Sequence, residues 1–136
     1  MTQKYLDSLT YQIIGAAIEV HKELGPGLLE SVYEKCLVQV LKEKRLKASY
    51  QQKVPVIFHN IYLECDLRYD IMVEDTVIVE IKAVDFLLPI HEAQLLTYLK
   101  LTQKPKGLLL NFNCVNIFRE GQKTLVTELF SKLPKS

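Results

Sequence analysis

The stretch RYDIMVEDTVIVEIKAV, residues 68–84, decides the fold prediction for this chain. Val and Ile dominate two runs that flank the segment 74–76, a pattern typical of two strands joined by a tight turn. If those three residues form the turn, Asp70 lies directly opposite Glu80, with Cβ atoms roughly 5 Å apart. Side chains alternate along a strand, so Glu80 and Lys82 share one face. A turn of another length would break this register.

The predicted pairing of two carboxylates admits two interpretations. Two like charges this close are unfavourable unless a cation lies between them, and Mg²⁺ or Mn²⁺ with oxygen ligands meets that need. An ion held by Asp70 and Glu80 could lower the pKa of a bound water molecule, while Lys82 orients that water and stabilises developing charge. These are the parts needed for phosphodiester hydrolysis. The alternative is a solvent-exposed ladder of ion pairs, the commoner arrangement in an arbitrary hairpin.

The remaining periodicities predict helices, then strands, then a helix and two more strands. Apolar spacing favours helices over residues 10–24 and 28–45, and over 89–101 after Pro89. Strands are predicted over 50–58, 61–73 and 76–84, and again in GLLLNFN (107–113) and VNIFRE (115–120), with a C-terminal element that fits either helix or strand. This order suggests a mixed α/β fold in which helices cover one sheet.

Length and composition limit the possible classes of protein. A chain of 136 residues, half of them apolar, predicts one globular domain over residues 1–136. No apolar run is long enough for a membrane span and no signal peptide is evident, so we expect a cytoplasmic protein without a membrane partner. The net charge of +1 gives no general argument for nucleic-acid binding. Local basic runs at 42–47 and 104–106 are either phosphate contacts or solvated faces.

Three further features are candidates for the same site. Glu30 begins the second helix near its apolar stripe, where it either points into a pocket or simply favours the helix dipole. Gln94 and Tyr98 are four residues apart and face one region from the third helix, or are polar residues at the edge of the core. His21, near the end of the first helix, is more readily explained by interaction with the helix C-terminus than by a ligand role.

Together these motifs resemble the PD-(D/E)XK nuclease superfamily, and within it the GxxExxY proteins. Gly27, Glu30 and Tyr33 in GLLESVY match that name, and PIHEAQLLTYLK (89–100) is similar to another block of the group. Tyr69 precedes Asp70 where the superfamily motif has proline. The resemblance implies a restriction-endonuclease-like α/β core, with a mixed sheet flanked by helices.

The resemblance also implies roles for individual residues. The catalytic set would be Asp70, Glu80, Lys82 and Glu30, with the three carboxylates as ligands of Mg²⁺ or Mn²⁺. Gln94 and Tyr98 match the QxxxY motif of the exonuclease-like branch. Together with Tyr33 and His21, Gln94 and Tyr98 would be substrate-binding or supporting residues. Some members of that branch hold an iron–sulfur cluster on four cysteines, which Cys36, Cys65 and Cys114 do not match, so no cluster is expected.

The function expected from this resemblance is Mg²⁺- or Mn²⁺-dependent hydrolysis of phosphodiester bonds by an (exo)deoxyribonuclease-like hydrolase, with cleavage from an end or within the strand left open. DNA is favoured over RNA as the substrate, although attack on phosphate at a metal site does not require a 2′-hydroxyl. The near-neutral charge suggests that a homodimer or a partner assists nucleic-acid binding. The alternative is a noncatalytic interaction or regulatory protein that retains the nuclease fold.

Overall fold

The computed structural model describes all 136 residues and contains five helices and seven strands. None of the helices is long and apolar enough to cross a bilayer. The helices are α1 (Gln3–Leu24), α2 (Glu30–Glu43), α3 (Pro89–Thr102), α4 (Ile117–Glu120) and α5 (Glu128–Ser131). The strands are β1 (Ala48–Tyr50), β2 (Val56–Phe58), β3 (Ile61–Leu63), β4 (Ile71–Val73), β5 (Val77–Lys82), β6 (Lys106–Asn111) and β7 (Gln122–Val126).

Five of the strands form one mixed sheet in the order β1-β4-β5-β6-β7, so β5 is its central strand. β5 and β6 are parallel, and α3 provides the crossover that a parallel pair requires. The other neighbouring pairs are antiparallel. β2 and β3 form a separate two-stranded hairpin. The predicted mixed α/β fold, with a sheet flanked by helices, is confirmed.

Helices cover both faces of this sheet because the strands are apolar on both sides. Val79 and Ile81 belong to the larger core cluster, which includes residues of α1 and α2. Ile78, which precedes Val79 and faces the other side of the sheet, belongs to a smaller cluster with Leu95 and Leu99 of α3. Alternation places Glu80 and Lys82 on the same face as Ile78. The polar residues of β5 therefore lie on the α3 side of the sheet.

The turn between β4 and β5 has the predicted length. β4 ends at Val73 and β5 begins at Val77, and Glu74 and Asp75 have positive φ angles of 51° and 54°. The Thr76 N–H closes the turn by donating to the Val73 carbonyl oxygen at 3.0 Å. The register pairs residue 71 with 79, so its continuation places Asp70 opposite Glu80. The predicted register is confirmed.

Two predicted strands are each divided in the structure. The prediction of 50–58 covers the end of β1 and all of β2, and that of 61–73 covers β3 and β4. The connection from β1 to β2 and the connection from β3 to β4 form only one isolated β-bridge with each other, between Lys53 and Arg68. The sequence ECDLR (64–68) lacks the apolar alternation that sustains a long strand, and its charged side chains are largely exposed.

The prediction of a strand in VNIFRE was wrong. The Asn116 side chain accepts a hydrogen bond from the Arg119 N–H at 3.0 Å, which caps the short helix α4. The last strand of the sheet is β7, which follows this helix. The first helix also begins earlier than predicted, because the Thr2 hydroxyl accepts from the Tyr5 N–H and caps α1.

Candidate active site

Two reciprocal hydrogen bonds cross between the segments that carry Asp70 and Glu80, at the point where β4 and β5 begin to separate. The Asp70 N–H donates to Glu80 Oε2 at 2.7 Å, and the Ile81 N–H donates to Asp70 Oδ2 at 2.7 Å. Each carboxylate is therefore fixed by a main-chain N–H of the opposite strand. One oxygen of each acid is oriented by the sheet, and the other remains for further contacts.

Glu80 is buried, with 4% of its surface exposed. Burial raises the pKa of Glu80 to about 8, and the neighbouring charge of Asp70 acts in the same direction. Two residues further along β5, the Lys82 ammonium opposes this shift. The burial of Glu80 excludes the alternative of a solvent-exposed ladder of ion pairs for this residue. The arrangement instead favours a cation beside the two acids.

Lys82 is half-buried and follows Glu80 on the same face of β5. Its ammonium group makes no hydrogen bond or salt bridge within the protein, unlike the paired Lys53, Lys104 and Lys106. It nevertheless lies near enough to Glu80 to lower the pKa of that carboxyl. A free ammonium group is thus held beside the carboxylate pair.

The QxxxY pair lies on α3, on the side of the sheet that carries Glu80. Tyr98 is buried, and the Gln94 side-chain amide donates to its hydroxyl at 3.3 Å. Burial raises the pKa of Tyr98, and the charges of Glu80 and Asp70 raise it further. The structure therefore brings the Tyr98 hydroxyl close to the carboxylate pair, with the exposed Gln94 beside it.

The GxxExxY residues form the loop and first turn that precede the site. Gly27 has a φ of 97°, a conformation that favours glycine. The Tyr33 hydroxyl donates to the Gly25 carbonyl oxygen at 2.6 Å and accepts from the Leu28 N–H at 3.1 Å. Glu30 is exposed, and its Oε2 accepts from the Ala83 N–H at 3.1 Å, just beyond β5. Tyr33 thus fixes the loop, while Glu30 joins α2 to the end of the central strand.

His21 lies in the core rather than against the carboxylate pair. Its Nε2 is 2.8 Å from the Cys114 carbonyl oxygen, and its ring packs at 52° to that of Phe112. Tyr33 stacks on the same Phe112 ring at 4.5 Å between centroids. These contacts give His21 and Tyr33 a supporting role in the packing behind the GxxExxY loop.

Two further residues at the site were missed by the sequence reasoning. Gln51 follows β1, and its side-chain amide donates both to Glu34 Oε1 at 2.8 Å and to Asp70 Oδ1 at 3.3 Å. Burial raises the pKa of Glu34, with a further contribution from the charge of Asp70. Glu34 lies one helical turn after Glu30, and that spacing was the available signal. Gln51 carries no local pattern that would have identified it.

Both basic runs lie at the opposite end of the sheet from Asp70. Residue 48 pairs with 73 and residue 106 pairs with 77, so the neighbouring segments 42–47 and 104–106 flank the 74–76 turn. Lys106 is buried in a salt bridge of 2.7 Å with Asp7, and Lys104 pairs with Asp75 at 3.2 Å. Neither run is positioned to hold a phosphate beside the carboxylate pair.

The donor set at the site fits a hard divalent cation. The side-chain oxygens left by the reciprocal bonds are Glu80 Oε1, which accepts no hydrogen bond, and Asp70 Oδ1. Carboxylate oxygens are the ligands that Mg²⁺ and Mn²⁺ prefer. No three His, Cys, Asp or Glu side chains converge into a complete metal site in the structure. The Glu30 carboxylate, predicted as the third ligand, is directed to the Ala83 N–H.

Comparison with known families provides independent information about this arrangement. A family model described as the PD-(D/E)XK nuclease superfamily matches residues 7–124. No curated protein and no solved structure matches the chain. The matched range contains every candidate site residue described above.

Proposed function

Because the chain belongs to the PD-(D/E)XK nuclease superfamily, we propose that it is a metal-dependent nuclease whose site consists of Asp70, Glu80 and Lys82. The observation that carries this proposal is the buried Glu80 carboxylate, which accepts from the Asp70 N–H at 2.7 Å, while the Asp70 carboxylate accepts from the Ile81 N–H at 2.7 Å. Two neighbouring acids fixed in this way, one of them buried, are best explained by a cation that binds between them.

Asp70 and Glu80 would hold Mg²⁺ or Mn²⁺ through their remaining carboxylate oxygens. The bound ion would supply Lewis acidity and lower the pKa of a water molecule. Lys82 would orient that water and stabilise the negative charge that develops on the phosphate oxygens. The Tyr98 hydroxyl and the Gln94 amide, on the same face, would contact the substrate. Glu30 supports the site by fixing the chain that follows Lys82.

We propose DNA as the substrate, ahead of RNA, and membership of the GxxExxY group within the superfamily. The loop geometry supports the second point, because Gly27, Glu30 and Tyr33 each have a distinct task there. Both basic runs lie far from the carboxylates, so a homodimer or a partner would add the phosphate contacts that one chain lacks.

The proposal is tested by titrating Mn²⁺ and Mg²⁺ into wild-type protein and a Glu80→Gln variant by calorimetry. Both proteins are then incubated with labelled single-stranded DNA, double-stranded DNA and RNA. We expect binding and metal-dependent cleavage by wild type only. Absence of metal binding by wild type, with or without DNA, would instead support the noncatalytic interaction protein.

A further inference from the structure

The segment that joins β1 to the β2–β3 hairpin contains a residue in an uncommon conformation next to the proposed site. Gln51 has a φ of 52°, in the left-handed region that residues other than glycine rarely adopt. Such backbone conformations persist only where surrounding contacts impose them, and they occur often at functional sites.

The contacts that impose this conformation come from the chain that leads into Asp70. The Gln51 N–H donates to the Asp70 carbonyl oxygen at 2.9 Å. The Gln51 carbonyl oxygen accepts from Arg68 Nη1 at 3.0 Å. Both main-chain polar groups of Gln51 are therefore bound to the segment that precedes β4, and the direction of its side chain is fixed.

In this direction, the Gln51 side chain lies between two acids. Its Nε2 group donates to Glu34 Oε1 at 2.8 Å and to Asp70 Oδ1 at 3.3 Å. The amide is a neutral donor, so it separates the carboxylates without adding a charge. Asp70 Oδ1 is the oxygen that the reciprocal bonds leave available for a cation.

We propose that Gln51 is a positioning residue of the active site, which orients the Asp70 carboxylate through its side-chain amide and is itself anchored by Glu34. This inference rests on the proposed nuclease function. A hydrogen-bonding partner behind a metal ligand typically changes metal affinity or activity by 10–100-fold when it is removed. Gln51 is such a partner of Asp70, and Glu34 holds the Gln51 amide in place.

The first test separates the amide from the backbone by comparing Gln51→Gly with Gln51→Ala. Glycine tolerates a positive φ and alanine does not, so the glycine variant should unfold at the higher urea concentration. Both variants lack the amide, and both should lose about 10–100-fold in Mn²⁺ affinity and in the cleavage rate. The matched control is Gln103, which has a φ of 57° at the exposed end of α3. Its glycine and alanine variants should differ in stability but keep wild-type affinity and rate.

The second test addresses the anchor. Glu34→Gln retains an oxygen that can accept from Gln51, whereas Glu34→Ala does not. We expect the glutamine variant to recover most of the Mn²⁺ affinity and cleavage rate that the alanine variant loses. Equal damage in both variants would show that Glu34 acts through its charge, and would overturn its role as the anchor of Gln51.

The outcomes distinguish this inference from the proposed function on which it rests. If Gln51→Gly keeps wild-type Mn²⁺ affinity and rate while Gln51→Ala does not, only the backbone matters and the positioning role is refuted. Wild-type values in both Gln51 variants would refute it equally. If wild type itself neither binds Mn²⁺ nor cleaves DNA, the nuclease proposal fails first.

Discussion

Replacing Glu80 by glutamine should change the pH dependence of stability in a way that is specific to this residue. The folded-state pKa of Glu80 is raised to about 8 from the ordinary value of 4.5. The folded protein therefore binds more protons than the unfolded chain between these values, and stability falls as the pH rises. The contribution of Glu80 protonation to the free energy of unfolding is fully present below pH 4.5 and is lost above pH 8.

The magnitude follows from the size of the shift. One pKa unit corresponds to about 1.4 kcal/mol, so the whole shift amounts to about 5 kcal/mol. Integrating the linkage relation between pH 6 and pH 9 gives a loss of about 3 kcal/mol from this group alone. The amide of Glu80→Gln can still accept from the Asp70 N–H but does not ionise. The variant should lack this part of the pH dependence.

The assay is urea unfolding of both proteins in EDTA from pH 6 to pH 9. Other groups titrate in this range, and those distant from Glu80 cancel when the wild-type free energy of unfolding is subtracted from that of the variant. That difference should rise by about 3 kcal/mol in favour of the variant between pH 6 and pH 9. Glu64→Gln is the matched control, since Glu64 is an exposed partner of Lys53. Parallel curves for wild type and Glu80→Gln would refute the reasoning about the buried acid.

Three other changes test separate parts of the structure. Lys82→Met should lower the cleavage rate by about 10²–10³-fold, because a charge near the reacting phosphate is lost, while its urea midpoint stays close to that of wild type. Tyr33→Phe should cost about 1–3 kcal/mol of unfolding free energy, because two hydrogen bonds to the GxxExxY loop are lost, and calorimetry should find unchanged Mn²⁺ affinity. Gly107→Ala should lower the thermal midpoint, since an added Cβ would lie 2.9 Å from Leu95 Cδ1; an unchanged midpoint would show that the buried Leu95 yields easily.

The central hairpin could be predicted from sequence because its determinants are local. Alternation and a three-residue turn fix which residues face each other, so Asp70 and Glu80 were paired correctly. The same reasoning extended a strand through ECDLR, although those residues have neither a buried face nor a continuous partner. It also predicted a strand where the short helix capped by Asn116 lies. The four residues of that helix are too few to distinguish the period of a helix from that of a strand.

The contacts around the site were harder to predict from sequence, because they join segments that are distant along the chain. Gln51 meets Glu34 and Asp70 only after α2 has packed against the sheet, and its left-handed conformation depends on the chain before Asp70. The buried state of Lys106 likewise depends on Asp7, about a hundred residues earlier, so a basic run that reads as a nucleic-acid contact is partly internal. Local sequence patterns give no information about such long-range contacts.

The reciprocal bonds between Asp70 and Glu80 have a consequence for how activity can be recognised in proteins of this fold. These carboxylates replace main-chain partners where two strands diverge, so a descendant that no longer cleaved its substrate would still have structural contacts for them to make. The Lys82 ammonium group has no hydrogen bond or salt bridge within the protein that would preserve it. The lysine, and not the acids, is therefore the residue whose loss would mark an inactive descendant.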